Sequence, residues 1–181
     1  MTFGDIKNFT NSNISDELLN ILIPDHDILT AGFPCQPFSR AGVSARKSLG
    51  IKHGFDCEIQ GTLFFDIIRI AKVKKPTVLL LENVKNLKTH DQGRTFEAIK
   101  HTITDELGYS FSSEVIDASS LVPQRRLRCF MVCYRNPKQE FSFPEIKGQP
   151  LPLKSILEKD PPEKYTISDR LWMGHRNCSP Q

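Results

Sequence analysis

The sequence contains no apolar run long enough to span a membrane and no basic-then-apolar start of the kind that directs secretion. Both absences point to a cytoplasmic protein. It also contains no Cys-x-x-Cys pair. Its five cysteines, Cys35, Cys57, Cys129, Cys133 and Cys178, share no repeating spacing. An odd, unpatterned set argues against a disulfide framework and against a zinc ribbon. His53 and Cys57 lie four apart, but two donors do not make a tetrahedral site, so no metal is expected. There is no internal repeat and no low-complexity tract. The most informative absence is of negative charge. Residues 28–55 contain no Asp or Glu, and neither do residues 118–139. The first stretch carries Arg40, Arg46, Lys47 and Lys52; the second carries Arg125, Arg126, Arg128, Arg135 and Lys138. The net charge of +3 is modest, but two basic blocks far apart in sequence can form one face in the fold.

What is present is ordinary for a globular domain. With 181 residues, 39% of them hydrophobic and 25% charged, the chain can build one real core. The stretch from Ala31 to Ser39 stands out. A short apolar run at 27–30 reads as a strand, and the chain then turns through Gly32 and Pro34 and presents Cys35. A thiol framed by turn formers at the end of a strand is where a nucleophile belongs. The basic residues that follow would lower its pKa from about 8.5. Spacing alone leaves the alternative open: a buried structural cysteine beside a basic loop.

The rest of the chain reads as alternating elements. Residues 15–22 form a short helix capped by Ser15, with Leu18, Leu19 and Leu22 on its inner face. Residues 40–60 have three glycines and little apolar periodicity, the mark of a long functional loop. Leu63, Ile67, Ile70 and Ala71 recur at helical spacing, and Pro76 ends that helix. Residues 77–81 are a continuous apolar run, which predicts a strand buried on both faces in a parallel sheet. The run ends at Glu82, which is either a proton donor at the C-terminal end of a central strand or a cap for the next turn. A second helix spans 91–107, with Phe96, Ile99, Ile103 and Leu107 on one face and Gly108 as its stop. Residues 109–115 alternate like a strand with one polar face. Cys129, Met131 and Cys133 share one face of a last strand and read as core. Between these strands Arg126 and Arg128, two apart, point the same way in an extended segment. They form either an anion anchor or a basic strand edge. Beyond Asn136 prolines recur, and Ser168 is placed to cap one more helix.

Several of these segments together resemble a known family. Gly32-Phe33-Pro34-Cys35-Gln36-Pro37-Phe38-Ser39 looks like the catalytic signature of the DNA (cytosine-5) methyltransferases. Glu82-Asn83-Val84 and Gln124-x-Arg126-x-Arg128 resemble two further family motifs and follow in the family's order. Gly4-Asp5-Ile6 and Gly61-Thr62-Leu63-Phe64 resemble its cofactor segments. The resemblance covers residues 3–143 and implies an α/β fold, a Rossmann-like S-adenosylmethionine-dependent methyltransferase sheet. It divides the chain into a partial catalytic domain, 1–143, and a Pro-rich linker, 144–181, that leads toward a target recognition region. Carried over by motif, the catalytic residues would be Cys35, Glu82, Arg126 and Arg128, with Arg126 orienting Glu82 and Arg128 contacting a flipped base. S-adenosylmethionine would meet Asp5, Ile6, Pro34 and Leu63. DNA would meet Gln36, Ser39 and Arg40, and residues 40–60 would close over it as a lid.

Some family parts have no counterpart in the sequence. No Phe-x-Gly-x-Gly loop precedes Gly4, and the acidic residue for the ribose hydroxyls and the recognition region are absent as well. The sheet is therefore expected to be incomplete and the chain to be a fragment or one half of a split enzyme, with a complementing polypeptide as a further partner. The implied reaction is methyl transfer to C5 of cytosine in double-stranded DNA through a covalent Cys35 intermediate. Three alternatives stand beside it: a tRNA-methylating relative, a non-catalytic DNA-binding or complementing subunit, and an unrelated cysteine hydrolase using His26 or His53.

Overall fold

The computed structural model describes residues 4–33, 62–160 and 162–177. Two short helices come first, α1 (Lys7–Thr10) and α2 (Asp16–Leu22). Ser15 caps α2 as expected, its hydroxyl accepting the backbone N–H of Leu18 at 3.2 Å. Leu19 faces inward and Leu22 is half-buried, but Leu18 is exposed. Strand β1 (Ile28–Gly32) follows, then helix α3 (Thr62–Lys74) and strand β2 (Val78–Val84). A 3-10 stretch, Lys85–Gly93, leads into α4 (Arg94–His101), which runs on as a π-helical turn, Thr102–Glu106. Gly108 turns the chain at φ 72°, a conformation that glycine adopts without Cβ strain. Strands β3 (Ser112–Asp117) and β4 (Leu127–Tyr134) complete the sheet.

The sheet has the order β1-β2-β4-β3 among the described residues. β1 runs parallel to β2, while β4 is antiparallel to both β2 and β3. The order of helices and strands is that of an open α/β sheet. Its core lies on one face, where Leu79, Leu81, Cys129, Met131 and Cys133 have no exposed surface. Phe64, Ile67, Ile68 and Ala71 of α3 cover this face together with Ile99 of α4 and Ile103 of the π-helical turn after it. Tyr109 is buried and its hydroxyl donates to the carbonyl of Pro76 at 2.6 Å, which ties the start of the β3 segment to the start of β2.

Three further sequence expectations change, the first being the helix expected at 91–107: it starts at Arg94, because Asp91 and Gln92 take left-handed backbone at φ 51° and 58°. β2 is not buried on both faces: Leu80 is 37% exposed, between Leu79 and Leu81 at 0%. The residues with even numbers in β2 lie on the face opposite that core. The strand expected at 109–115 starts later, at Ser112, because Tyr109 and Ser110 anchor the turn instead. Ser110 donates its N–H to the carbonyl of Tyr134 at 2.8 Å and accepts the N–H of Tyr134 on its hydroxyl at 3.1 Å. The loop expected at 40–60 lies outside the described residues.

Candidate active site

β1 and β2 are parallel, so their C-terminal ends meet at one rim of the sheet, the usual place for a site in an open α/β fold. There the register sets Gly32 against Glu82. β4 arrives at the same rim from the opposite direction, with Arg128 against Val84 and Phe130 against Glu82. Residues two apart in a strand share a face, so Glu82 and Arg128 are diagonal neighbours on one side of the sheet. Long side chains span that diagonal, and Arg128 Nε lies 2.8 Å from Glu82 Oε1. Both groups are partly sheltered, at 24% and 35% exposure. A charge-assisted contact of this length fixes the carboxylate in place.

The arginine that meets Glu82 is therefore Arg128, whereas the expected partner was Arg126. The reason is register. Arg126 precedes β4 and is exposed, and its backbone rather than its side chain is tied down. Its N–H donates to Asp117 Oδ1 at 3.3 Å, and its carbonyl accepts the N–H of Ala118 at 3.3 Å. Asp117 also accepts the N–H of Ser119 at 3.0 Å, so it organises the turn that delivers both arginines. The signal for Asp117 in the sequence is local: an Asp ending an apolar run before Ala-Ser-Ser is a capping pattern.

On its other side the carboxylate lies over backbone. A Cβ added at Gly32 would come within 3.2 Å of Glu82 Oε2, so glycine leaves the room that the carboxylate occupies. Phe33 follows, buried, with its ring 5.5 Å from that of Phe64. Its carbonyl accepts the side-chain amide of Asn83 at 3.4 Å, and Asn83 Oδ1 accepts the N–H of Val84 at 2.8 Å. Asn83 is almost completely buried in an otherwise apolar layer, and both ends of its amide are used. A cleft of about 300 Å³ opens here, lined by Gly32, Phe33, Glu82, Asn83, Arg126 and Arg128 among others.

The structure thus brings Glu82, Arg126 and Arg128 to one cleft, at the end of the segment that runs into Pro34 and Cys35. Pro34, Cys35, Gln36, Ser39 and Arg40 lie outside the described residues. Asp5, Ile6 and Leu63 do not line this cleft. Asp5 is exposed at the start of α1, where its carboxylate accepts the N–H of Lys7 at 2.9 Å, and Ile6 beside it is half-buried. Leu63 is half-buried in the first turn of α3. Two other cysteines are unsuited to nucleophilic work. Burial pushes the thiol of Cys133 up to about 12 and raises that of Cys129 as well. Among the described residues no helix is long and apolar enough to cross a membrane.

The family model of C-5 cytosine-specific DNA methylases matches residues 1–181. The type II methyltransferase M.NlaX of Neisseria lactamica is 47% identical over 174 residues, covering 96% of this chain and 50% of that protein. The DNA-cytosine methyltransferase of Escherichia coli strain K12 is 43% identical over 191 residues, covering 93% of this chain and 40% of that protein. Among solved structures, a methyltransferase of Entamoeba histolytica shares the fold with a TM-score of 0.59 at 18% identity, covering 91% of this chain and 48% of the other. The Dnmt2 methyltransferase of S. pombe does so with a TM-score of 0.56 at 15% identity, covering 94% and 54%. The chain spans half or less of the length of these two curated relatives.

Proposed function

The chain belongs to the C-5 cytosine-specific DNA methylase family, and from that membership we propose that it serves methyl transfer from S-adenosylmethionine to C5 of cytosine in double-stranded DNA. The observation that carries the reading is the Glu82–Arg128 pair, held beside the strand end that runs into Cys35. The target carbon is stacked inside a duplex, so the base must be flipped out, at a cost of a few kcal/mol. The Cys35 thiolate then attacks C6, and the C–S bond forms as electrons move from the 5,6 double bond toward N3. Glu82 hydrogen-bonds or protonates N3, so negative charge does not build up on the ring. Arg128 holds the carboxylate, and the exposed guanidinium of Arg126 is free to reach base or phosphate. These roles reverse those first expected for the two arginines. Once C5 carries the methyl, water takes the C5 proton, the N3 proton returns to Glu82, and the C6–S bond breaks, which restores the aromatic base and frees the thiolate.

Bound S-adenosylmethionine supplies an electrophilic methyl to C5. Asp5 and Ile6 suit its adenine: an exposed acceptor stands next to a half-buried apolar side chain. Leu63 and Pro34 complete the cofactor contacts in this reading, and Gln36, Ser39 and Arg40 contact DNA. Residues 1–143 act as the catalytic unit and 144–181 as the link toward target recognition. A complementing polypeptide is a further partner in this reading.

The test is transfer of labelled methyl from S-adenosylmethionine to cytosine-containing duplex DNA by this chain, alone and with the remaining segments of a relative supplied in trans. Labelled DNA with the parent and none with Cys35→Ala is the expected result. Label that persists in Cys35→Ala would sink the covalent route, and DNA left unlabelled in both formats would sink the activity.

A further inference from the structure

Arg69 belongs to none of the motifs above, yet its side chain ties α3 to the N-terminal segment through four residues. Its Nε donates to Asp16 Oδ1 at 2.9 Å. One terminal nitrogen donates to the carbonyls of Thr10 at 2.9 Å and Asn11 at 3.2 Å, and the other donates to the carbonyl of Ile14. The guanidinium therefore holds three backbone carbonyls in the turn between α1 and α2. Thr10, itself buried, carries the hold further: its hydroxyl donates to the carbonyl of Ile6 at 3.1 Å. Two hydrogen-bonded steps thus lead from Arg69 to the backbone beside Asp5. The planar fork of arginine suits several divergent acceptors, whereas the point charge of lysine does not. Leu63 lies six residues earlier on the same helix, about 9 Å along its axis.

We propose that Arg69 is a positioning residue for the methyl donor. It fixes the segment bearing Asp5 and Ile6 against the helix bearing Leu63, and so sets the spacing between two walls of the adenosyl pocket. The proposal rests on the reading that these three residues meet S-adenosylmethionine; Arg69 itself does not touch the cofactor. The same two elements carry a natural control. Lys74, at the other end of α3, donates to the carbonyl and side-chain oxygen of Asn20 at 3.1 and 2.9 Å and pairs with Asp25. It ties down the C-terminal end of α2 and has no link to Ile6.

The experiment measures binding of S-adenosylmethionine and S-adenosylhomocysteine by calorimetry, with amide hydrogen exchange across residues 7–22. It compares the parent chain with Arg69→Met, Arg69→Lys and Lys74→Met. Arg69→Met is expected to weaken both ligands by about tenfold or more and to lose protection in α1. Arg69→Lys falls between Arg69→Met and the parent. Lys74→Met loosens α2 and keeps affinity within about twofold of the parent. If Arg69→Met does not fold, Arg69→Lys decides, since it keeps the charge and loses the fork. Parent affinity in the Arg69 variants overturns the proposal. So does an equal loss in Lys74→Met, which would mean general loosening. A parent chain that binds neither ligand, both alone and with the remaining segments of a relative supplied in trans, sinks the cofactor reading, and this proposal with it.

Discussion

Glu82 and Arg128 form a half-sheltered pair, so removing one partner strands the other where water reaches it poorly. Arg128→Ala is expected to lower methyl transfer by about 10²–10³-fold, the usual cost of losing one preorganised donor at a reacting site. Arg126→Ala should instead raise the KM for DNA more than it lowers kcat, since Arg126 is exposed and leaves Glu82 held. Equal kcat losses in the two variants would refute this division of roles. The two-residue spacing predicts from sequence that both arginines point the same way, and both line the cleft. It could not show which one reaches Glu82, because that depends on β4 pairing Arg128 with Val84. A second consequence at this scale concerns pH. Burial raises the thiol of Cys133 from an ordinary 9.0 to about 12, and it raises Cys129 and Tyr109 too. The folded chain keeps these protons after the unfolded chain has lost them. The stability that Cys133 confers is full below about pH 9 and is lost as the pH rises toward about 12, and Cys129 and Tyr109 act in the same direction. Urea melts between pH 8 and 10 should show a shallower decline for Cys133→Ala than for the parent; parallel declines would remove this thiol from the account.

At the scale of elements, α3 links the core to the site. Phe64 is 1% exposed and supports Phe33, the last described residue before Pro34 and Cys35. Phe64→Ala is expected to destabilise the domain by about 3–5 kcal/mol, as read from denaturant unfolding. A loss below about 1 kcal/mol would mean that the layer closes over the gap. This helix was legible in advance from Leu63, Ile67, Ile70 and Ala71, and so were the Ser15 cap and the core face of Cys129, Met131 and Cys133. Local periodicity reports which side of an element is apolar, and that is all these features needed. The pairing of β2 with an antiparallel β4 was not legible, because no local pattern names a partner some fifty residues away. The one-sided burial of β2 was misread for a related reason. A run of Val and Leu looks the same whether one face or both faces are covered.

For the molecule as a whole, stability should reside in the sheet and its helical layer. Residues 144–160 are exposed except for half-buried Ile146, and the N–H of Leu151 to the carbonyl of Ser119 at 2.8 Å is one of few ties from this stretch to the turn between β3 and β4. A chain ending after Phe143 is therefore expected to melt cooperatively within about 3 °C of the parent. A fall of about 10 °C or more would make the last segment part of the cooperative unit. The order of assembly follows from the strand register already described. Ile28 pairs with Val78, and Val78 in turn pairs with Tyr134, so β2 is joined on both sides across about fifty residues of chain. Loops of that length make folding slow compared with local helix formation. The cleft needs Gly32, Glu82 and Arg128 together, one from each of three strands. During synthesis, helices and even the parallel β1–β2 pair can form while the carboxylate still lacks its guanidinium. The clamp closes only once β4 has left the ribosome, so no shorter nascent chain carries an assembled site.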